Sequence, residues 1–172
     1  MIRQDYIMRM IEQMVKVLAK ILFNKEAGNY NAAVSDIDAA FNSITGLDYH
    51  MINDLSANDI ISILRMSKDD ATVSIKCIVI AKLLKEKTDI AKLNSDENSR
   101  LVYNYQKSIS LYLEGILNNK NVEIDLSEYY SDVKEIVKII EDEIPPETRY
   151  GLFKFYELIG ESNKDKNEFN NH

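Results

Sequence analysis

Few side chains in this sequence have the type and spacing that chemistry requires. There are two histidines, His50 in a connecting stretch and His172 at the last position, too far apart in sequence to make the short-spaced pair of a metal-binding helix. The single cysteine, Cys77, lies in the apolar run Ile75-Lys76-Cys77-Ile78-Val79-Ile80-Ala81, where a free thiol packs as a small hydrophobe. Glu141-Asp142-Glu143 is an acidic run at a helix end, the ordinary mark of a solvated terminus rather than a cation site. The five glycines are isolated, so no loop is built to cradle phosphate, and no Gly-x-Ser-x-Gly turn presents a serine nucleophile. Acidic residues are plentiful, but no spacing places two of them in one pocket. The expectation is a non-enzyme with no catalytic residue, no cofactor and no metal.

Tyrosines are the exception to this sparseness. Tyr103, Tyr105, Tyr112, Tyr129, Tyr130, Tyr150 and Tyr156 crowd the C-terminal half. Most fall at core spacing and read as packing between helices with hydroxyls reaching outward. Tyr103, Asn104 and Lys107 stand off the apolar stripe of their helix, and are the candidate lining of an interaction groove for a peptide or small ligand.

The elements that hold these residues are helical. Proline and glycine are scarce, at two and five residues, and apolar residues recur at steps of three and four. A first helix is expected over Ile2 to Phe23, with Ile7, Met10, Ile11, Met14, Leu18, Ile21 and Leu22 on one side and Val15 and Val17 widening the stripe. So wide a stripe needs cover from the next helix or from a second copy of the chain, with Met8, Met10 and Met14 as adaptable contacts. Tyr30 to Ile44 forms a second helix closed by Gly46. Leu47 to Leu55 reads as a connector with a short helical turn, and Ser56 and Asp59 make a capping box for a helix over Ala57 to Met66. A helix from Asp69 or Asp70 to Lys87 or beyond is apolar nearly all round, which places it at the centre of the domain. Helices are expected from Asn98 to Leu117, from Ser127 to Pro145, and from Glu147 to Ile159. The whole is an all-α domain over 1–161 with six or seven helices, followed by a polar tail over 162–172 expected to fray.

Length and charge agree with one domain. A chain of 172 residues buries enough surface to fold without disulfide or metal. The net charge is −7 with a pI near 4.9, which repels phosphate backbones and speaks against nucleic-acid binding. No apolar run has the length of a membrane span. One cysteine and no secretory leader point to the cytoplasm.

Gly28-Asn29-Tyr30-x-x-Ala33-Val34-x-x-Ile37-x-x-Ala40-Phe41 resembles the turn and second helix of a tetratricopeptide repeat, in which glycine makes the tight turn and small alanines let paired helices cross closely. Leu152-x-x-x-Tyr156-x-x-x-Gly160 is similar to the end of a repeat's first helix, although Asp165 stands where the following alanine belongs. Tyr105-x-x-Ser108-Ile109 is a fainter echo, and Ile21 replaces the small residue of the first helix. The opening Met1 to Glu12 resembles the start of an uncharacterised bacterial family with such helical hairpins. The resemblance implies stacked antiparallel hairpins and a protein-interaction or scaffold role with an unknown protein or peptide partner. Two alternatives stand beside it. One is a ligand-responsive regulator or unusual enzyme with a pocket near the C-terminal tyrosines. The other is a structural homodimer joined through the N-terminal helix.

Overall fold

The structure is a computed structural model that describes residues 2–67, 69–95, 100–120 and 123–169. It is all α-helical, with eight α-helices and no strand among the described residues: α1 (Ile2–Glu26), α2 (Tyr30–Ala40), α3 (Tyr49–Asp54), α4 (Ala57–Ser67), α5 (Asp70–Leu93), α6 (Leu101–Leu117), α7 (Tyr130–Ile139) and α8 (Pro146–Phe169). The helix beyond the expected six or seven is α3, where Asp48 caps the stretch read as a connector by accepting from the Met51 N–H. The second helix ends in a π-turn over Phe41–Thr45, and Gly46 closes it in the left-handed conformation. Ser56 and Asp59 form the reciprocal capping box before α4, and Asp69 caps α5 through the Thr72 N–H.

Several boundaries differ from the sequence reading: α1 runs on to Glu26, and α7 spans only Tyr130–Ile139 between 3-10 turns at Ser127–Tyr129 and Glu141–Glu143. α6 begins at Leu101; Asn98 lies outside the described residues. α8 continues past Ile159 to Phe169. Asn170 to His172 lie outside the described residues.

Side-chain bridges give the helix directions. α1 and α2 fold back on each other around Gly28, whose φ is +74°, and Lys20 and Asn24 both reach Asp36. α5 and α6 are antiparallel and share the most extensive interface of the fold: Ser108 donates to the Ala81 carbonyl and the Tyr105 hydroxyl donates to Asp89. α7 and α8 touch where Tyr130 lies edge-on to Phe155 at 5.4 Å, but α8 packs mainly on α6. α1 lies parallel to α5, tied by Arg3 to Asp69 at one end and Lys25 to Glu86 at the other. α7 also runs parallel to α5, with Lys82 on Asp132 and Lys85 on Glu135. α8 runs parallel to α6, matching Ser110 with Thr148 and Leu113 with Gly151.

α5 is the central rod, as its all-round apolar surface requires, and Val73, Ile75, Cys77, Ile78, Val79, Ile80, Leu83 and Leu84 are all buried. Ala33 and Ala40 are buried on α2. The wide stripe of α1 divides: Ile7, Met10, Met14 and Ile21 are buried, while Met8, Val15 and Leu22 are exposed.

Candidate functional site

The three residues proposed from sequence do not line one open groove. Tyr103 is 42% exposed and Asn104 is half-buried, but Lys107 is buried with 3% of its surface exposed. Its Nζ donates to the carbonyls of Ile52 and Asn53 at 2.7 and 3.0 Å and lies 4.8 Å from the Tyr103 ring centroid. Placing Lys107 on a groove wall is therefore corrected. The side chain stands off the α6 apolar stripe because α3 folds over it, and its ammonium satisfies the last carbonyls of that helix. Burial is the main reason its pKa is pulled down to about 8, and Arg100 adds to the effect.

Two of the other tyrosines are occupied as well. The buried Tyr112 hydroxyl donates to Asp132 at 2.8 Å, and Tyr105 donates to Asp89 at 2.7 Å. Burial is the chief cause of the raised pKa of both, so each keeps its proton as a donor. Cys77 is sealed in the core, and burial pushes its thiol up to about 12, which removes it as a nucleophile. His50 is exposed beside Tyr49. Glu141–Glu143 form a short, exposed 3-10 turn. Among the described residues no group of three His, Cys, Asp or Glu side chains is placed to hold a metal ion, and no helix is long and apolar enough to cross a membrane.

Sequence reasoning missed the polar centre of the molecule. A ladder of ion pairs crosses from α1 over α5 to α7. Lys25 binds Glu86 at 3.2 Å, Glu86 binds Lys82 at 3.1 Å, and Lys82 binds Asp132 at 2.9 Å. Lys85 then binds Asp89 at 2.8 Å and Glu135 at 3.1 Å. At Glu86 burial alone would raise the pKa, but Lys82 and Lys25 together outweigh it and hold the carboxyl below its usual value. At Lys82 burial is likewise outweighed by Asp132 and Glu86, and the pKa rises. Toward the start of α5 the same three-helix face is filled by Ile11, Met14, Ile124, Leu126 and Tyr129, which leave a cavity of only about 30 Å³. The face where α1, α5 and α7 lie side by side is thus occupied by the protein's own residues along its length. The available signal was the spacing of Lys82, Lys85, Glu86 and Asp89, which share one side of the helix.

An open concavity lies along α6. α6 forms its floor, with α4 and α8 as walls, and it holds about 260 Å³. Ile61, Leu113, Leu117 and Tyr150 give it apolar surface; Asn58, Glu114, Asn118 and Glu147 give it a polar, acidic rim. Gly151 lets α8 approach, since a Cβ there would come within 3.2 Å of Leu113. A smaller cleft of about 160 Å³ continues past Glu114 and Asn118 to Lys120 and the start of α5, bridged by the Arg65–Glu114 ion pair. Next to the groove, α8 exposes Tyr150, Phe153 and Tyr156. An apolar floor with a polar rim is the anatomy of a peptide-binding surface.

A family model, described as a family of unknown function, matches residues 1–170. No curated protein and no solved structure matches the chain.

Proposed function

The chain belongs to DUF6483, a family of unknown function, and we propose that it is a non-catalytic protein-interaction module of stacked, tetratricopeptide-repeat-like hairpins that seats a peptide of its partner on the α6 groove. The groove between α4 and α8 carries this reading, because it combines apolar floor residues with an acidic rim. The antiparallel α1–α2 and α5–α6 pairs, with α1, α5 and α7 in parallel succession, support the stacked-hairpin description. The self-filled face along α5 moves the binding surface to the α6 side. The mutual pairing of the buried lysines and carboxylates supports a role without catalysis, since these groups stabilise one another. The rim carboxylates Glu114 and Glu147 favour a partner peptide with at least one basic residue. A cytoplasmic location belongs to the same proposal and is supported by the single, buried thiol.

Photo-crosslinking in native cells tests this. A benzophenone side chain placed at Leu117, in the groove, and one at Tyr150, on its wall, are expected to trap one adduct of the same mass. The same group at Ser35, exposed on α2, is expected to trap none. Tyr150→Asp, at a residue that is 69% exposed, should abolish the Leu117 adduct without lowering thermal stability. Equal trapping at all three positions, or none at Leu117 and Tyr150, overturns the groove as the seat.

A further inference from the structure

A cleft of about 160 Å³ opens where α4, the start of α5 and the end of α6 meet. Arg65, Asp70, Ser74, Glu114, Asn118 and Lys120 give it polar walls. Ser74 is 1% exposed, and among the described residues its Oγ is the one buried side-chain oxygen or nitrogen without a hydrogen-bond partner. A hydroxyl on a helix ordinarily donates to the carbonyl four residues back, as Thr88 does to Leu84 and Ser110 to Gln106. Ser108 instead crosses from α6 to the Ala81 carbonyl. Ser74 does neither, although an unpaired buried hydroxyl is unfavourable. Its place is in the wall of a cleft, where a small molecule can supply the missing bond.

The charges of the cleft select that molecule. Arg65 on α4 pairs with Glu114 on α6, and Lys120 pairs at 3.4 Å with Asp70 at the start of α5. Two cations and two anions leave the walls without net charge. A simple anion is drawn to Arg65 and Lys120 but repelled by Asp70 and Glu114, and a simple cation meets the reverse. A zwitterion satisfies both signs, with its carboxylate toward the cations and its ammonium toward the carboxylates. The Lys120 and Asp70 side chains are 78% and 73% exposed, so water screens their pairing and little is lost when it opens for a ligand. Asn118 donates its amide to the Glu114 carbonyl at 3.0 Å, which keeps its oxygen as an acceptor for the ammonium. A serine hydroxyl both donates and accepts, so Ser74 suits either end of the molecule. The volume is below the roughly 300 Å³ at which pockets for drug-sized ligands begin, so the occupant is a small metabolite. We propose that this cleft binds a free α-amino acid. The proposal goes beyond the interaction-module reading and does not depend on it: the cleft adjoins the α6 groove but needs no peptide there.

The test is thermal unfolding of the full chain with each of the proteinogenic amino acids in turn. At least one is expected to raise Tm by about 3 °C or more at about 10 mM. Its N-acetyl derivative, which keeps only the carboxylate, and its carboxamide, which keeps only the ammonium, are each expected to give less than half that rise. Ser74→Ala should leave the ligand-free Tm unchanged or higher, because it removes an unpartnered hydroxyl, and Lys120→Met alters an exposed side chain. Each variant is expected to weaken the amino acid by about fivefold or more in calorimetric titration. No rise in Tm with any amino acid overturns the proposal. So does binding that survives Ser74→Ala or Lys120→Met unweakened, which places the ligand elsewhere. An equal rise from either half-blocked derivative also overturns it, and marks the cleft as the seat of a peptide end instead. The Leu117 and Tyr150 crosslinks read the groove separately, since Ser74 and Lys120 do not line it.

Discussion

Lys82 and Lys107 are both largely withdrawn from water, and their ionisation moves in opposite directions. Burial penalises each ammonium. At Lys82 the carboxylates of Asp132 and Glu86 outweigh that penalty and raise the pKa. At Lys107 the partners are two carbonyls, burial dominates, Arg100 adds to it, and Asp54 recovers only a little, so the amine falls to about 8. An unfolded lysine titrates near 10.4. Between about pH 8 and pH 10 the unfolded chain therefore binds the extra proton, and folding stability gains with rising pH through this residue. Deprotonation leaves two N–H donors, enough for both the Ile52 and Asn53 carbonyls. Lys87, whose pKa burial also lowers despite Asp38, pushes the same way, so the comparison must be with a variant. Lys107→Met is expected to cost about 1–3 kcal/mol at pH 7 by leaving buried carbonyls unpaired, and to remove part of the rise. Urea midpoints at pH 7, 8, 9 and 10 measure both; parallel pH profiles for the two proteins would contradict the assignment.

Between elements, α5 and α6 approach closely where they cross at Gly115. A Cβ at Gly115 would lie 2.6 Å from the Ser74 carbonyl oxygen and 2.7 Å from the Ile78 side chain, so the crossing needs a residue without one. Gly115→Ala gains about 1 kcal/mol of helix propensity, but it forces backbone against side chain at a cost of about 1–3 kcal/mol. A net loss in thermal unfolding is expected, and a rise in Tm would mean that the helices separate freely. This contact was not legible in the sequence, where Gly115 is one of several isolated glycines; it needs the partner helix to give it meaning. Signals contained within one helix end were legible: the Ser56–Asp59 box, the Gly46 cap and the Gly28 turn all govern their own neighbours. The ion-pair ladder was not, because a charge on a helix reads as solvated until α1 and α7 arrive from 61 and 50 positions away, as Lys25 does for Glu86 and Asp132 does for Lys82. The groove escaped for a related reason. Ile61, Leu113 and Tyr150 each look like ordinary stripe residues on α4, α6 and α8, and only the parallel run of α8 along α6 aligns them. Tyr103 is exposed and Asn104 half-buried, whereas Lys107 is covered by α3, the helix read as a connector.

At the scale of the whole molecule, the buried carboxylate of Asp132 joins α7 to the central α5–α6 pair, and Glu86 joins that pair to α1. Asp132 accepts from Lys82 and from the Tyr112 hydroxyl on one oxygen, and faces Lys85 at 3.9 Å with the other. It links α7 to both α5 and α6, while Lys82 passes the connection through Glu86 to Lys25 on α1. Such a ladder specifies register: sliding α7 along α5 by one turn would strand charges that water no longer reaches. Asp132→Leu should therefore cost about 3–5 kcal/mol, because it leaves Lys82 with only Glu86 and the Tyr112 hydroxyl without an acceptor. Adding Lys82→Met and Tyr112→Phe removes the stranded groups, and should restore most of the stability that the single change takes away. The location of the damage is as informative as its size. If the ladder anchors the C-terminal helices, hydrogen exchange in Asp132→Leu will quicken first in α7 and α8 while α1 and α2 stay protected, since the buried Ile7, Met10, Met14 and Ile21 hold α1 by apolar contacts. Uniform acceleration across all eight helices would instead mean that the helices unfold as one unit and that the ladder stabilises without anchoring.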